Sequence, residues 1–218
     1  MEDVKPYYKK QYIMFDLDKK NEEISYWENV VTCSNDLCNF IESLDKIESS
    51  YARIPKWQDW IASNDENTHY GYVKNIFKDF SKNSLEDKEI EKRSLYIVNS
   101  LLMAIEMCFD RYMDGHNLNK NDYFLDTSML SIKKWNVGQQ MGPHCDNYDG
   151  HSNLAFSLVL YLNDNYEGGE INFPNHGITI KPAPGSLIMF PSHEPFLHQV
   201  LPIKSGIRYM LTASVFKK

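Results

Sequence analysis

Residues 154–190 read LAFSLVLYLNDNYEGGEINFPNHGITIKPAPGSLIMF. The apolar runs in this stretch are short, and turn sequences rich in Gly, Pro, Asn and Asp (NDNYEGG, FPNHG, PAPG) separate them. No stretch between these turns is long enough for a helix of ordinary length. The same alternation extends both ways and predicts strands over Met129–Val137, Met141–Asn147, Leu154–Asn163, Glu170–Phe173, Ile178–Pro182, Ser186–Phe190, His198–Ile203 and Ile207–Phe216. Eight short strands with no helix between them point to a sandwich or jelly roll.

Upstream the texture changes to a mainly helical one. Val98, Leu101, Leu102, Ile105, Cys108, Phe109 and Tyr112 recur at helical spacing, which predicts a helix over 85–113 with Ser84 and Asp87 at its start and Gly115 at its stop. A shorter helix over 35–47 would bury Leu37, Phe40, Ile41 and Leu44. Trp57 and Trp60, three apart after Pro55, are expected to share one helix face. The class is therefore α+β, mainly β. A helical part over 1–127 is expected to pack outside a β core over 128–218, giving one compact domain.

Composition narrows the partners. The 218 residues carry a formal net charge of -7, which disfavours a large phosphate-binding surface. No apolar run is long enough to span a membrane, and residues 1–20 lack a signal-peptide core, so an intracellular, cytoplasmic protein is expected. Cys33, Cys38, Cys108 and Cys145 show no CxxC pairing and read as free thiols. Abundant Asn and Lys suggest an AT-rich genome, microbial or viral. The sequence carries no oligomeric assignment.

His144 and Asp146 are two apart in a strand-like run, so both side chains are expected on one face. His198 opens a later strand that jelly-roll winding can bring beside the first, and Arg208 follows across a KSG turn. Two imidazoles and one carboxylate form the facial set that suits Fe(II) and leaves coordination positions open for a bidentate 2-oxo acid and dioxygen. A buried arginine would then clamp the far carboxylate of that acid. His193, in the turn FPSHEP, is the weaker rival to His198; His69, His116, His151 and His176 read as solvated.

The motifs WNVGQQMGPHCD, LVLYLN, YEGGEINFP, PGSLIMFPS and HQVLPIKSGIRYMLTASVF, in this order over 128–218, resemble the prolyl 4-hydroxylase-like branch of the 2-oxoglutarate oxygenases. The resemblance implies a double-stranded β-helix with N-terminal supporting helices. It also implies hydroxylation of a C–H bond coupled to decarboxylation of 2-oxoglutarate to succinate. Fe(II), 2-oxoglutarate and dioxygen would be required, with ascorbate as an optional reductant. By position, His144, Asp146 and His198 match the iron ligands and Arg208 matches the cosubstrate's carboxylate anchor. Tyr161 and Thr212 match residues of the same pocket. Trp135 and Met141 stand where the family often has tyrosines, and Val215 replaces a tryptophan near the site.

The branch resembled puts a proline-containing protein or peptide first as substrate, ahead of a small molecule or free amino acid. Nucleic acid is disfavoured, because the paired arginine of the nucleic-acid dealkylases would fall at Ser214. A non-catalytic jelly-roll binding module is the alternative of another class. The loop NYDGHSN and the segment around Trp57–Asn67 are candidate walls of a substrate groove.

Overall fold

The computed structural model describes residues 13–15, 23–31, 35–46, 56–62, 65–74, 85–147 and 153–218. Ser84, Cys33, His151 and residues 148–152 of the NYDGHSN loop fall outside them. In chain order the strands are β1 (Ile13–Phe15), β2 (Ser25–Glu28), β3 (Gln58–Ala62), β4 (Asp65–Lys74), β5 (Tyr123–Trp135), β6 (Met141–His144) and β7 (Leu154–Tyr161). Then follow β8 (Tyr166–Gly168), β9 (Ile171–Phe173), β10 (Ile178–Ile180), β11 (Leu187–Pro191), β12 (His198–Val200), β13 (Ile203–Gly206) and β14 (Arg208–Lys217). The helices are α1 (Asn35–Ser43) and α2 (Leu85–Gly115).

A major sheet runs in the order β1-β2-β11-β7-β14-β5-β4-β3, a minor sheet in the order β10-β9-β12-β6, and β13 pairs with β8 in a ribbon. This is the mainly β jelly roll with helices that the sequence predicts. The pleat of the major sheet serves two interiors. Tyr209, Leu211, Ala213 and Val215 of β14 join Leu158 and Leu160 of β7 and Leu130 and Ile132 of β5 against the helices. From α2, Ile97, Leu101, Ala104, Ile105, Cys108 and Tyr112 close this layer at helical spacing. The opposite face, with Trp135, Val159, Tyr161, Ile188, Phe190 and Met210, meets Phe173, Ile171 and Val200 of the minor sheet.

Several boundaries differ from the sequence reading for identifiable reasons. The N-terminal part adds β1 to β4 to the major sheet besides its two helices. The hairpin β3–β4 covers the edge that β5 would otherwise leave unpaired. Trp57 and Trp60 therefore do not share a helix face. On extended chain a three-residue spacing sends them to opposite sides, Trp57 against the helix-side core and Trp60 against the inter-sheet core. The expected strand His198–Ile203 is two strands, because Pro202 between β12 and β13 has no N–H to pair. The expected strand Glu170–Phe173 is likewise preceded by a separate β8. Gly168 and Gly169, at φ 75° and 65°, turn the chain between β8 and β9.

Val215, expected near the site, packs into the helix-side core instead, because it lies on the other face of β14 from Arg208. No helix among the described residues is long and apolar enough to cross a membrane. Cys38, Cys108 and Cys145 are free thiols.

The packing of α2 on the sheet makes Leu101, 1% exposed, a structural residue and Leu95, 51% exposed, a dispensable one. Leu101→Ala is expected to lose about 2–5 kcal/mol of unfolding free energy, and Leu95→Ala less than about 0.5 kcal/mol. Urea unfolding followed by circular dichroism checks this, and equal losses would contradict the packing.

Candidate metal and cosubstrate site

β12 pairs antiparallel with β6, and the register sets His198 directly opposite His144. The two imidazoles lie with ring centres 4.3 Å apart. β6 ends at His144, two residues short of Asp146, so the expected strand through Asn147 is not formed and pleat alternation does not aim the carboxylate. Hydrogen bonds aim it instead. Ser157 Oγ of β7 donates to Asp146 Oδ2 at 2.5 Å, and the Ser192 hydroxyl lies 2.8 Å from that of Ser157. Ser157 spends its single hydrogen on Asp146, so Ser192 must be the donor to Ser157. The Asn147 amide donates to the Ser192 carbonyl at 2.9 Å and fixes the chain beside the carboxylate.

The resulting cluster has one ligand atom from each of His144, Asp146 and His198, all within 4.8 Å of one another. His144 Nε2 lies 3.4 Å from Asp146 Oδ1, and His198 Nε2 lies 3.7 Å from Oδ2. Each Nδ1 faces a backbone carbonyl, that of Gly142 at 2.8 Å for His144 and that of Phe196 at 3.2 Å for His198. A carbonyl only accepts, so each Nδ1 carries a hydrogen and each Nε2 lone pair is turned to the cluster. Among the described residues this is the one group of three or more such side chains able to hold a metal ion. His193 sits exposed on its turn, with Nδ1 against the Glu194 carbonyl, and is outside the cluster. His116 stacks on Tyr112 and His176 on Phe196, also away from it.

Burial and charge divide the two imidazoles. Burial holds His198 below its ordinary pKa despite the Asp146 charge, favouring the neutral ligand form. Burial also works against protonating His144, but the hydrogen bond and charge of Asp146 outweigh it and raise that pKa. Burial would push the Asp146 carboxyl up. The His144 hydrogen bond, the His198 charge and the Ser157 donor together hold it well below the carboxylate range.

Arg208, at the start of β14, is 1% exposed. Its Nε and Nη1 have no acceptor among the described residues. A guanidinium does not shed its proton to escape burial, so these two donors call for an anion. Trp135 and Tyr161 wall the group, with ring centres 5.3 and 5.1 Å from Arg208 Cζ. Trp135 Nε1 is a third buried donor without an acceptor. The YEGG sequence makes room here: a Cβ on Gly169 would meet the Ile203 side chain and come 3.2 Å from Arg208 Cδ. Thr212 faces the same side of the sheet, but its hydroxyl accepts from Lys133 Nζ at 2.7 Å.

Ser157 and Ser192 are the site residues that the sequence reading missed, and Lys133, against Thr212 on the same side of the sheet, is a neighbour that it also missed. Lys133 is two residues from Trp135 on β5 and so shares its face, a spacing that could have flagged it. Ser157 sits in the apolar run LAFSLVLY and Ser192 in the turn FPSHEP, and neither gave a signal.

Two outcomes follow from the cluster. Ser157→Ala is expected to weaken Mn(II) binding roughly 10–100-fold while leaving the fold intact, as read by metal titration and circular dichroism. Mn(II) affinity should also rise from pH 6 to pH 8. The raised pKa of His144 keeps its proton to higher pH, and the metal must displace that proton. A pH-independent affinity would contradict the geometry.

Comparison with known proteins finds a likeness over the stretch that carries these residues. The family described as the 2OG-Fe(II) oxygenase superfamily matches residues 130–215. A PKHD-type hydroxylase of Synechococcus sp. (strain CC9605) is 30% identical over 117 residues, covering 50% of this chain and 52% of that protein. The chain thus spans about half the length of this curated relative. Among solved structures, a prolyl hydroxylase from Trichoplax adhaerens, in complex with a hypoxia inducible factor oxygen degradation domain peptide fragment, superposes with a TM-score of 0.58 at 16% identity. It covers 90% of this chain and 84% of that one. The viral collagen prolyl hydroxylase of Paramecium Bursaria Chlorella virus-1, as its 2OG complex, gives a TM-score of 0.54 at 16% identity, covering 90% and 96%. These two likenesses bear on the fold. Residues 130–215 are thus similar to the 2OG-Fe(II) oxygenase superfamily, and the relatives reported are hydroxylases of the PKHD and prolyl 4-hydroxylase types.

Proposed function

We propose that the chain is an Fe(II)- and 2-oxoglutarate-dependent oxygenase that hydroxylates a prolyl residue of a protein or peptide and converts 2-oxoglutarate to succinate and carbon dioxide. The observation that carries this reading is the convergence of both Nε2 atoms on the Asp146 carboxylate, with both Nδ1 atoms facing backbone carbonyls. His144, Asp146 and His198 would hold the ion, a donor set that suits Fe(II). Arg208 receives the distal carboxylate of 2-oxoglutarate through Nε and Nη1, the two buried donors otherwise without acceptors. Tyr161 and Trp135 shape that end of the pocket and exclude water from it. When bound, the iron supplies the activation of dioxygen, coupled to decarboxylation of the cosubstrate, that no side chain here can perform.

Support for the prolyl residue comes from the kind of protein the chain resembles, and support for a peptide from the fragment held by the Trichoplax adhaerens structure. The test is succinate formation under air by the Fe(II)-loaded protein with 2-oxoglutarate and ascorbate, with and without proline-rich peptides, followed by mass spectrometry of the peptides. A peptide-dependent rise in succinate with one added oxygen on proline is expected. His144→Ala is expected to reduce the rate by at least two orders of magnitude. Peptide-independent succinate would keep the oxygenase and remove the prolyl substrate. Neither turnover nor 2-oxoglutarate binding would leave the non-catalytic jelly-roll module.

A further inference from the structure

Lys133 has no part in the metal cluster or in the Arg208 pocket, yet it points into the same inter-sheet side of the major sheet. In the register of β5 with β14 it lies opposite Met210, and Trp135 lies opposite Arg208. Its partner on β4 is Val73, from the hairpin that extends the sheet. A cavity of about 280 Å³ opens there, lined by Trp60, Val73, Asp126, Ser131, Lys133 and Thr212 together with Ala213 and Ser214. None of Arg208, Tyr161, His144, Asp146 and His198 lines it.

The ammonium is held at both sides but not neutralised. It donates to Thr212 Oγ1 at 2.7 Å and stands 4.3 Å from the centre of the Trp60 ring. No carboxylate among the described residues is within ion-pair distance of it. Burial pushes its pKa down to about 8, the Asp146 charge opposes that and the Arg208 charge adds to it, so it is still a cation at neutral pH. An ammonium has three donors, and the hydroxyl and the ring leave one without a strong acceptor. A partly buried cation fixed in this way, beside a cavity with hydroxyls at Ser131, Thr212 and Ser214, is a receptor for a small anion. Asp126 lines the same cavity, so the anion fits only at the Lys133 end.

We propose that Lys133, with Thr212 and Trp60, forms a second carboxylate-binding subsite, separate from Arg208, which takes a carboxylate of the molecule to be hydroxylated. The inference rests on the oxygenase reading above and narrows its substrate to one with a carboxylate near the target carbon. Such a group is offered by a free amino acid or by an acidic residue next to the prolyl residue. The cavity is bounded by the β3–β4 hairpin and shares no wall with Arg208 or Tyr161, which is why the substrate and not the cosubstrate is assigned to it.

The test uses the full chain loaded anaerobically with Fe(II), and probes in carboxylate and amide pairs. The pairs are L-proline with L-prolinamide, and an acetylated Pro-Glu peptide amide with its Pro-Gln counterpart. Binding is measured by calorimetry in the presence of 2-oxoglutarate, and turnover by succinate release under air. In the wild type at least one carboxylate probe is expected to bind at least tenfold more tightly than its amide, and the responding pair tells an α-carboxylate from a side-chain one. Lys133→Met is expected to remove that preference while binding 2-oxoglutarate within about threefold of wild type, whereas Arg208→Met loses the cosubstrate. Lys133→Arg, which keeps the charge, is expected to restore part of the preference, so that a folding defect is not mistaken for a lost contact. Equal binding of carboxylate and amide by the wild type would overturn the proposal. So would a loss of 2-oxoglutarate by Lys133→Met as large as that of Arg208→Met, which would assign Lys133 to the cosubstrate. Failure of the oxygenase reading shows separately, as a wild type that neither binds 2-oxoglutarate nor releases succinate.

Discussion

The alternation of side chains along β14 couples the stability of this molecule to its chemistry. Tyr209, Leu211, Ala213 and Val215 point to the helix side, where α2 and α1 close the larger core, and Arg208, Met210 and Thr212 point between the two sheets. A one-residue slip would bury the arginine against leucines and turn the leucines into the polar cavity. β14 is paired on both sides, with β5 and with β7, so the register that suits the core also fixes Arg208 opposite Trp135 and beside Tyr161. By burying one face of this strand, the helices hold the other face in place.

The inter-sheet side is costly in a way the helix side is not. Arg208 and Lys133 bring two cations there, and Asp146 is shared between two imidazoles and a serine hydroxyl. A fold selected for stability alone would fill such positions with apolar groups of similar volume. The polar groups nonetheless sit in ordered surroundings: Trp135 and Tyr161 flank the guanidinium, and Trp60 and Thr212 flank the ammonium. Unmet donors on groups held this firmly are what a binding site looks like before its anionic ligands arrive.

The cluster of His144, Asp146 and His198 and the buried Arg208 were legible in the sequence because their signals are short-range and positional. An H-x-D before a turn, a histidine opening a late strand and an arginine after a KSG hairpin keep their meaning wherever the strand ends fall. The strand boundaries were less legible, since Pro202 and the glycine pair act through hydrogen bonds they remove and backbone angles they permit. The N-terminal strands were not legible at all. Residues 58–74 carry aromatics at spacings that suit either a helix or a strand, and only the open edge of β5 decides between them. Lys133 was hidden for a related reason. In the run IKKW the two lysines look alike, but the pleat sends Lys134 to Glu42 of α1 and Lys133 into the site.

How His144, Asp146 and His198 are held bears on what a bound metal would do for the fold. Both histidines are anchored through Nδ1 to carbonyls of their own strand or of the turn before it, at residues two positions earlier. Asp146 is anchored through Ser157 and Ser192, on two paired strands of the major sheet and at its margin. None of these restraints involves an ion; each is made by a strand or by the chain just beside one. A zinc finger, by contrast, gains its fold from its metal, because its ligands have no such prior order. Here the sheets position His144, Asp146 and His198, so the free energy of binding an ion would be left for affinity rather than for folding. Such a separation would let an ion held by these residues exchange its other ligands without loosening the sheets around it.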